Sequence, residues 1–222
     1  MSTIYLDIET LPTTNPIVIE QVQAGLKTPV NYKDPEKITA YIESHKGEAV
    51  HKTGLSGLFG EILCIGWAID DEPANTMYRD DEGEAAMLRE FREISCEARI
   101  AINPYCTNTL VGHNAIDFDV PYLSQRMMIN GIDPLFRHGT KVWDMSIDDT
   151  MTMFACGKRE RYSLHNLCIA FGVPTPKGGI TGAEVYQAYL DGRHDEIRTY
   201  CAGDVNATRS VYKAMTITTK AG

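Results

Sequence analysis

The sequence lacks paired cysteines, long apolar runs and a basic leader, and each absence excludes a class of protein. Its six cysteines form no Cys-x-x-Cys pair and no zinc-type cluster with histidine, which favours reduced thiols over disulfides or a zinc centre. No hydrophobic run approaches the roughly 20 residues that cross a bilayer. The N-terminus MSTIYLDIET has no basic flank followed by an apolar core, so we expect no secretory signal and a cytoplasmic protein without a membrane partner.

Positive charge is also scarce. The 222 residues contain 21 Lys and Arg against 30 Asp and Glu, which gives a formal net charge of −9. This balance argues against a protein that coats long duplexes, because non-specific affinity depends on neutralising many phosphates. It leaves open a site whose acidic side chains hold divalent cations, since such a site attracts phosphate only once the metal is bound.

The patterning that is present predicts an α/β protein. Alternating or short apolar segments predict strands at residues 3–8, 62–69, 76–79, 109–112 and 141–145. Apolar residues at helical spacing, with acidic first turns or capping residues, predict helices at 82–99 and 120–129, from a cap at Ser163 to a stop at Gly172, and at 195–215. Strands therefore come first, alternate with helices and give way to helices at the end.

Residues 12–60 separate two predicted strands that a tight hairpin could join. Within this segment Asp34-Pro35-Glu36 begins a helix, because Asp suits the cap and Pro the first turn. We interpret the segment as an insertion in a single domain of residues 1–222, since the length is only marginal for two domains.

Asp7 and Glu9 stand two residues apart at the end of the first predicted strand. Their side chains therefore point to the same face and could reach one ion. The intervening and preceding apolar residues are predicted to be buried, so the acids lie where a core strand ends and where a carboxylate needs a partner. Taken alone, an Asp-x-Glu pair is more often a strand exit with solvated carboxylates.

A second set of polar residues lies between Gly112 and Asp119, where a strand leads into a helix. Asp119 would lie at the helix N-terminus, a position that also suits an ordinary cap. Asn114 distinguishes the segment, because an amide shortly before the acid can orient it or contact a substrate, which a cap does not require. Asp117 is an alternative to Asp119, since it also follows Asn114 and precedes an aromatic residue.

The third set is Tyr200 and Asp204 in the last predicted helix. Residues four apart lie on one helical face, so the hydroxyl and the carboxylate could converge on one water molecule. Such a pair is by itself common on helix surfaces.

These three segments, Asp7-Ile8-Glu9, Asn114 to Asp119 and Tyr200 to Asp204, resemble in order and spacing the sequence blocks of the DEDD superfamily of 3′→5′ exonucleases. The Tyr-x-x-x-Asp block is that of the tyrosine (DEDDy) subgroup, and the chain is most similar to the exonuclease domains of family-B DNA polymerases, here expected to stand alone. The family pattern has the aromatic residue directly before the acid, which favours Asp119 over Asp117.

The resemblance implies a ribonuclease-H-like fold, a mixed central sheet flanked by helices, and two Mg²⁺ or Mn²⁺ ions. Asp7 would bridge both ions, Glu9 and Asp204 would complete one, and Asp119 would hold the other largely through water. Tyr200 would position the attacking water, because a phenol with a pKa near 10 is a poor base at neutral pH.

The resemblance also places Thr10 and Leu11 beside the terminal nucleotide, with Leu11 against its base. Asn114 and Phe118 are further expected substrate contacts. The insertion at 12–60 leaves the strand directly after the first acids, so we expect it to control which 3′ ends enter. A helical packing element without that role is the alternative.

Three other features are weaker candidates. Lys158, Arg159 and Arg161 form the densest basic stretch and could follow a nucleic-acid backbone, although a short charge run is usually a solvated loop. Asp144 ends a candidate strand and is interpreted as structural. We expect His113 to be a neutral imidazole bonded to a loop carbonyl.

The function that these expectations favour is removal of nucleotides from the 3′ end of DNA, either a single strand or a frayed duplex. An RNA 3′ exonuclease stays open, because it differs only in how the sugar 2′-OH is received. A silent nucleic-acid-binding or protein-binding module is disfavoured by the complete set of acids. An endonuclease of the broader fold is disfavoured by the Tyr-x-x-x-Asp block.

Overall fold

The computed structural model describes residues 2–79, 82–97, 108–135, 146–176 and 179–216, with the backbone alone for 96 and 97. In this part of the chain one mixed sheet contains the strands β1 (Thr3–Leu11), β2 (Glu61–Ile69), β3 (Asn75–Tyr78), β4 (Thr109–Gly112) and β5 (Ile147–Asp149). The order is β3-β2-β1-β4-β5, with β1 antiparallel to β2 and parallel to β4. Strand β3 pairs antiparallel with β2 and strand β5 pairs parallel with β4. The central strand is therefore the one that carries the first two acids.

Helices cover both faces of the sheet. They are α1 (Pro16–Ala24), α2 (Pro35–His51), α3 (Glu84–Glu97), α4 (Asp119–Ile129), α5 (Thr150–Ala155), α6 (Leu164–Phe171), α7 (Val185–Leu190) and α8 (His194–Thr216). A 3₁₀ turn follows α2 at Lys52–Leu55. The predicted fold class, a mixed central sheet flanked by helices, is confirmed. None of the helices in the described ranges has both the length and the apolarity to cross a membrane.

Strand β1 presents different side chains to the two faces of the sheet. Those at even positions from 4 to 8 pack against α3 and α4 in the largest core cluster. Those at odd positions face α8, where Tyr5 packs with Val205. Asp7 and Glu9 occupy odd positions, so both carboxylates point toward α8.

Most element bounds follow the sequence patterns. The predicted strands at 3–8, 62–69, 76–79 and 109–112 and the predicted helices are confirmed, with ends shifted by a few residues. The candidate strand at 141–145 lies outside the described residues, and the sequence does not predict β5 at Ile147–Asp149. The sequence also predicts no separate helix at α1, α5 or α7. The single-domain interpretation stays a prediction.

The insertion at 12–60 consists mainly of α1 and α2, and neither helix contains a buried residue. Its base is tied to the end of β1. The hydroxyl of Thr10 donates to the carbonyl of Gly54 at 2.7 Å, and the N–H of Thr13 donates to the hydroxyl of Thr53 at 2.9 Å. The two helices therefore extend from an anchored base without adding to the core.

Candidate active site

Helix α8 approaches the sheet closely because β2 has a glycine at the contact. Gly66 pairs with Asp7 across the two strands. A Cβ atom at Gly66 would lie only 2.8 Å from the sulfur of Cys201, so a larger residue would push α8 away. The Cys201 thiol in turn donates a hydrogen bond to the carbonyl oxygen of Asp7, with 3.9 Å between sulfur and oxygen. The acids of β1 are thus held against the helix that carries Tyr200 and Asp204.

Asp119 is the first residue of α4 and lies beside β1. Its side chain is 4% exposed, and its Oδ1 accepts a hydrogen bond from the backbone N–H of Ile8 at 3.1 Å. Because Ile8 separates Asp7 from Glu9, this hydrogen bond places Asp119 next to both acids.

Four acids, Asp7, Glu9, Asp119 and Asp204, form what we call the carboxylate cluster. Burial is the largest cause that raises the pKa of each acid above its ordinary value, to about 7 for Asp119 and about 6 for Asp204. Repulsion adds to burial, because the charge of Asp204 raises the pKa of the other three. One oxygen of Asp7, Oδ2, is buried and has no hydrogen-bond partner among the described residues.

The carboxylate cluster has the properties of a site for divalent cations. Among the ion pairs of the described residues, none includes one of its four acids. Buried charges of one sign are costly without compensation, and oxygen ligands are those that Mg²⁺ and Mn²⁺ prefer. Ligand atoms of Asp7, Glu9 and Cys201 lie within 4.8 Å of one another, which is close enough to surround one ion.

Tyr200 lies one helical turn before Asp204, and the two side chains interact. The Tyr200 hydroxyl lowers the pKa of Asp204, whereas burial and then the Asp204 charge raise the pKa of Tyr200 well above its ordinary value of 10. The phenol therefore remains protonated at neutral pH and can only donate a hydrogen bond or orient a water.

The two alternatives for the second block have different surroundings. The side chain of Asp117 is 62% exposed and pairs with Arg161 at 3.4 Å. Asp119 is buried beside β1, as described above. The structure therefore brings Asp119 together with Asp7, Glu9 and Asp204, and leaves Asp117 at the surface.

The four expected substrate contacts lie around the ends of β1 and β4. Asn114 is half-buried and has a positive φ of 64°, at the point where the chain turns from β4 toward α4. Phe118 packs on Tyr122 of α4, and Thr10 is half-buried above the insertion base. Leu11 is only 3% exposed, within a core cluster that includes Tyr200. A contact between Leu11 and a base would require its neighbours to move apart.

Asp149 is a residue of the site that sequence reasoning missed. It is 2% exposed and lies at the end of β5. Its Oδ1 accepts from the N–H groups of Asn114, Met151 and Thr152 at 3.1, 2.9 and 3.3 Å, and its Oδ2 accepts from that of Ile116 at 3.0 Å. One carboxylate therefore caps α5 and also holds the loop that ends at Asp119.

The sequence did contain a signal for Asp149. Asp followed by Thr150 and an apolar run is a typical helix start, and the acid is two residues after a β-branched residue, Ile147. The acid singled out from the sequence in this region was Asp144, which lies outside the described residues.

His113 connects the same loop to the segment after α5. One ring nitrogen is 2.9 Å from the Thr150 hydroxyl and the other is 2.9 Å from the carbonyl oxygen of Tyr162. Burial lowers the pKa of His113 below its ordinary value, so the imidazole is neutral at pH 7. The predicted bond to a loop carbonyl is confirmed.

Comparisons with known proteins agree with this geometry. A search of curated proteins found no match. Among solved structures, the family B DNA polymerase from the hyperthermophilic archaeon Pyrobaculum calidifontis is similar, with a TM-score of 0.62 and 16% identity over 98% of this chain. The chain spans 24% of the length of that polymerase. The sequence model of one family matches residues 74–221. The chain therefore belongs to this family, the predicted 3′-5′ exonucleases related to the exonuclease domain of PolB.

Proposed function

We propose that this chain removes nucleotides one at a time from the 3′ end of DNA, with a preference for single strands, and releases nucleoside 5′-monophosphates. The observation that carries this proposal is the carboxylate cluster, two buried and two half-buried acids with raised pKa values and no ion-pair partner among the described residues. Such an arrangement is costly for folding and is typical of a functional site. Family membership supports the direction of hydrolysis.

The carboxylate cluster would hold two Mg²⁺ or Mn²⁺ ions, with Asp7 shared between them. Glu9 and Asp204 would complete one site and Asp119 the other. When bound, such a pair of ions stabilises the attacking and leaving oxygens of an in-line phosphoryl displacement. The buried and unpartnered Oδ2 of Asp7 supports its place between the ions.

The chain's own groups would orient the reactants. Tyr200, protonated and one helical turn from Asp204, would direct its hydroxyl toward the attacking water and orient it. Asn114 and Phe118 would contact the terminal nucleotide from the loop that Asp149 holds, and Thr10 would contact it from the end of β1. Leu11, buried in the core cluster against which Tyr200 packs, would support this pocket.

A digestion series tests the proposal. Single-stranded DNA, duplex DNA and RNA with a 5′ label are incubated with Mg²⁺, Mn²⁺ or EDTA, and the products are followed as ladders. We expect shortening from the 3′ end, fastest on single-stranded DNA, with mononucleotide products and no reaction in EDTA. Full activity in EDTA would contradict the metal site. Faster digestion of RNA would select the alternative substrate, and nicking of a closed plasmid would indicate an endonuclease.

A further inference from the structure

Three cations outside the carboxylate cluster lie on one short loop. This loop, residues 157–162, connects α5 to the cap of α6, and we call it the basic loop. Lys158, Arg159 and Arg161 are all exposed in a chain of net charge −9. Lys158 and Arg159 have no ion-pair partner among the described residues. Glu160 lies between Arg159 and Arg161 and accepts a hydrogen bond from the Tyr162 hydroxyl.

The basic loop is fixed to the segment that leads into the carboxylate cluster. His113 bonds the Tyr162 carbonyl at one end of the loop, and Asn114 follows His113 directly. Arg161 lies 3.4 Å from Asp117, two residues before Asp119. The His113 bond therefore keeps the basic loop beside the turn that positions Asp119, and the 3.4 Å distance shows how near Arg161 lies to that turn.

The ion pair between Arg161 and Asp117 leaves Arg161 available. The two side chains are 71% and 62% exposed, and pairs of this kind contribute little because water and salt screen them. A phosphate could replace the Asp117 carboxylate as the partner of Arg161 at small cost. The guanidinium would then bind it through two parallel hydrogen bonds.

Aromatic surface adjoins the cations. Phe154 is 36% exposed, and its ring packs edge-on against Tyr162 at 4.8 Å and Phe171 at 5.9 Å. Cations that alternate with exposed aromatic rings are typical of surfaces that bind single strands, where phosphates meet cations and bases stack on rings. A loop that is only solvated does not require aromatic rings beside its cations.

We propose that Lys158, Arg159 and Arg161 bind the phosphodiester backbone of the nucleic-acid strand behind the 3′ end that enters the carboxylate cluster. This inference rests on the proposed function, because it assigns the path of the same substrate. Phe154 provides the stacking surface for a base of that strand.

Strand binding at different salt concentrations tests the inference. The probe is a fluorescent single-stranded DNA of about 12 nucleotides, and the protein carries Asp119→Asn so that the probe stays intact. Adding Lys158→Gln with Arg159→Gln should raise Kd about tenfold near 0.1 M salt. It should also reduce the slope of log Kd against log salt by about 1.4, because each single-strand phosphate contact contributes about 0.7. Asp117→Asn should tighten binding by freeing Arg161.

The matched control removes two cations at the opposite edge of the sheet. Arg198 lies over the ring of Tyr78 in β3, and Lys213 pairs with Asp71 in the turn between β2 and β3. Arg198→Gln with Lys213→Gln makes the same change in net charge and should leave Kd and its salt slope nearly unchanged. Equal weakening by both double variants would overturn the inference, since net charge alone would explain it.

The outcomes separate this inference from the proposed function. If the unaltered protein shortens DNA from the 3′ end but the basic-loop double variant binds with an unchanged salt slope, only the basic loop is wrong. If the unaltered protein degrades no nucleic acid with Mg²⁺ or Mn²⁺, the proposed function is wrong, whatever the binding shows.

Discussion

At the scale of single residues, Tyr200 shows how burial assigns a chemical role. Its raised pKa excludes it as a base, and its position one helical turn before Asp204 places it beside the carboxylate cluster. Tyr200→Phe should therefore slow hydrolysis of single-stranded DNA about 10²- to 10³-fold, roughly 3–4 kcal/mol of barrier, without abolishing it. Single-turnover rates at saturating Mn²⁺ measure the loss.

The control for Tyr200 is Tyr189, which packs in the same core cluster. Its hydroxyl accepts from Arg79 at 3.4 Å. Tyr189→Phe should keep the rate of the unaltered protein. If Tyr200→Phe hydrolysed DNA as fast as Tyr189→Phe, Tyr200 would only be a packing residue.

Asp119 links the proposed active site to the stability of the fold. Its pKa is raised by burial from an ordinary 3.8 to about 7, so the folded state prefers its protonated form. The protonated Asp119 side chain therefore adds fully to the free energy of unfolding below its ordinary pKa of 3.8. This contribution is lost as the pH rises through about 7. Asp119→Asn stays neutral and keeps an oxygen that can accept from Ile8. In EDTA the variant should therefore be more stable than the unaltered protein at pH 8, by on the order of 1–3 kcal/mol.

Thermal unfolding between pH 5 and 8, with EDTA or with Mn²⁺, measures this difference. Mn²⁺ should stabilise the unaltered protein at pH 8 more than the variant, because Asp119 is a proposed ligand. Parallel pH profiles for the two proteins in EDTA would show that Asp119 is not held in a protonated state.

At the scale of elements, the junction of β5 and α5 positions the loop before α4. Asn at position 149 would retain one oxygen for the N–H groups of Asn114 and α5, but its amide would face the N–H of Ile116 as a second donor. Asp149→Asn should therefore loosen the loop and misplace Asp119. The Mn²⁺ concentration for half-maximal activity should rise about tenfold or more.

The control for Asp149 is another Asp that caps a helix. Asp34 accepts from Glu36 at 3.0 Å at the start of α2, away from the carboxylate cluster. Asp34→Ala should cost about 1 kcal/mol of stability and leave the Mn²⁺ dependence on a dinucleotide substrate unchanged. If Asp149→Asn and Asp34→Ala showed the same Mn²⁺ dependence, Asp149 would act only as a helix cap.

At the scale of the whole molecule, the sequence predicted what depends on local patterns. Alternation in β1 placed Asp7 and Glu9 on one face, and helical spacing placed Tyr200 beside Asp204. The role of Asp149 depends on contacts with residues 33 to 35 positions away, which no local pattern encodes. The burial of Leu11 likewise depends on how α7 and α8 pack, so its expected exposure to a base could not be judged.

The insertion is a feature of the whole molecule whose role can be tested without disturbing the core. Its segment from 12 to 60 contains five Lys and five acids, so it is less repulsive to a polyanion than the rest of the chain. Replacing residues 15–51 by a short Gly/Ser linker retains Thr13, Thr53 and Gly54, which tie the base to β1. The ratio of kcat/KM for single-stranded to duplex ends should change, while a dinucleotide substrate is cleaved as before.

Two results would bear against a gating role for the insertion. A shortened protein that folds and keeps the same ratio across DNA and RNA ends would show that substrate choice lies elsewhere, with the basic loop as the next place to look. Loss of dinucleotide cleavage would show that the insertion supports the active site itself.

The central claim is that the carboxylate cluster is a metal-dependent exonuclease site, and a matched pair of variants tests it most directly. Asp117 and Asp119 lie two residues apart, one exposed and one buried in the cluster. Digestion of 5′-labelled single-stranded DNA with Mg²⁺ should be severely impaired by Asp119→Asn, abolished by Asp7→Ala or Asp204→Ala, and retained by Asp117→Asn, with all four variants folded by circular dichroism. Near-normal ladders from Asp7→Ala or Asp204→Ala, or loss of activity in Asp117→Asn with retention in Asp119→Asn, would contradict the account.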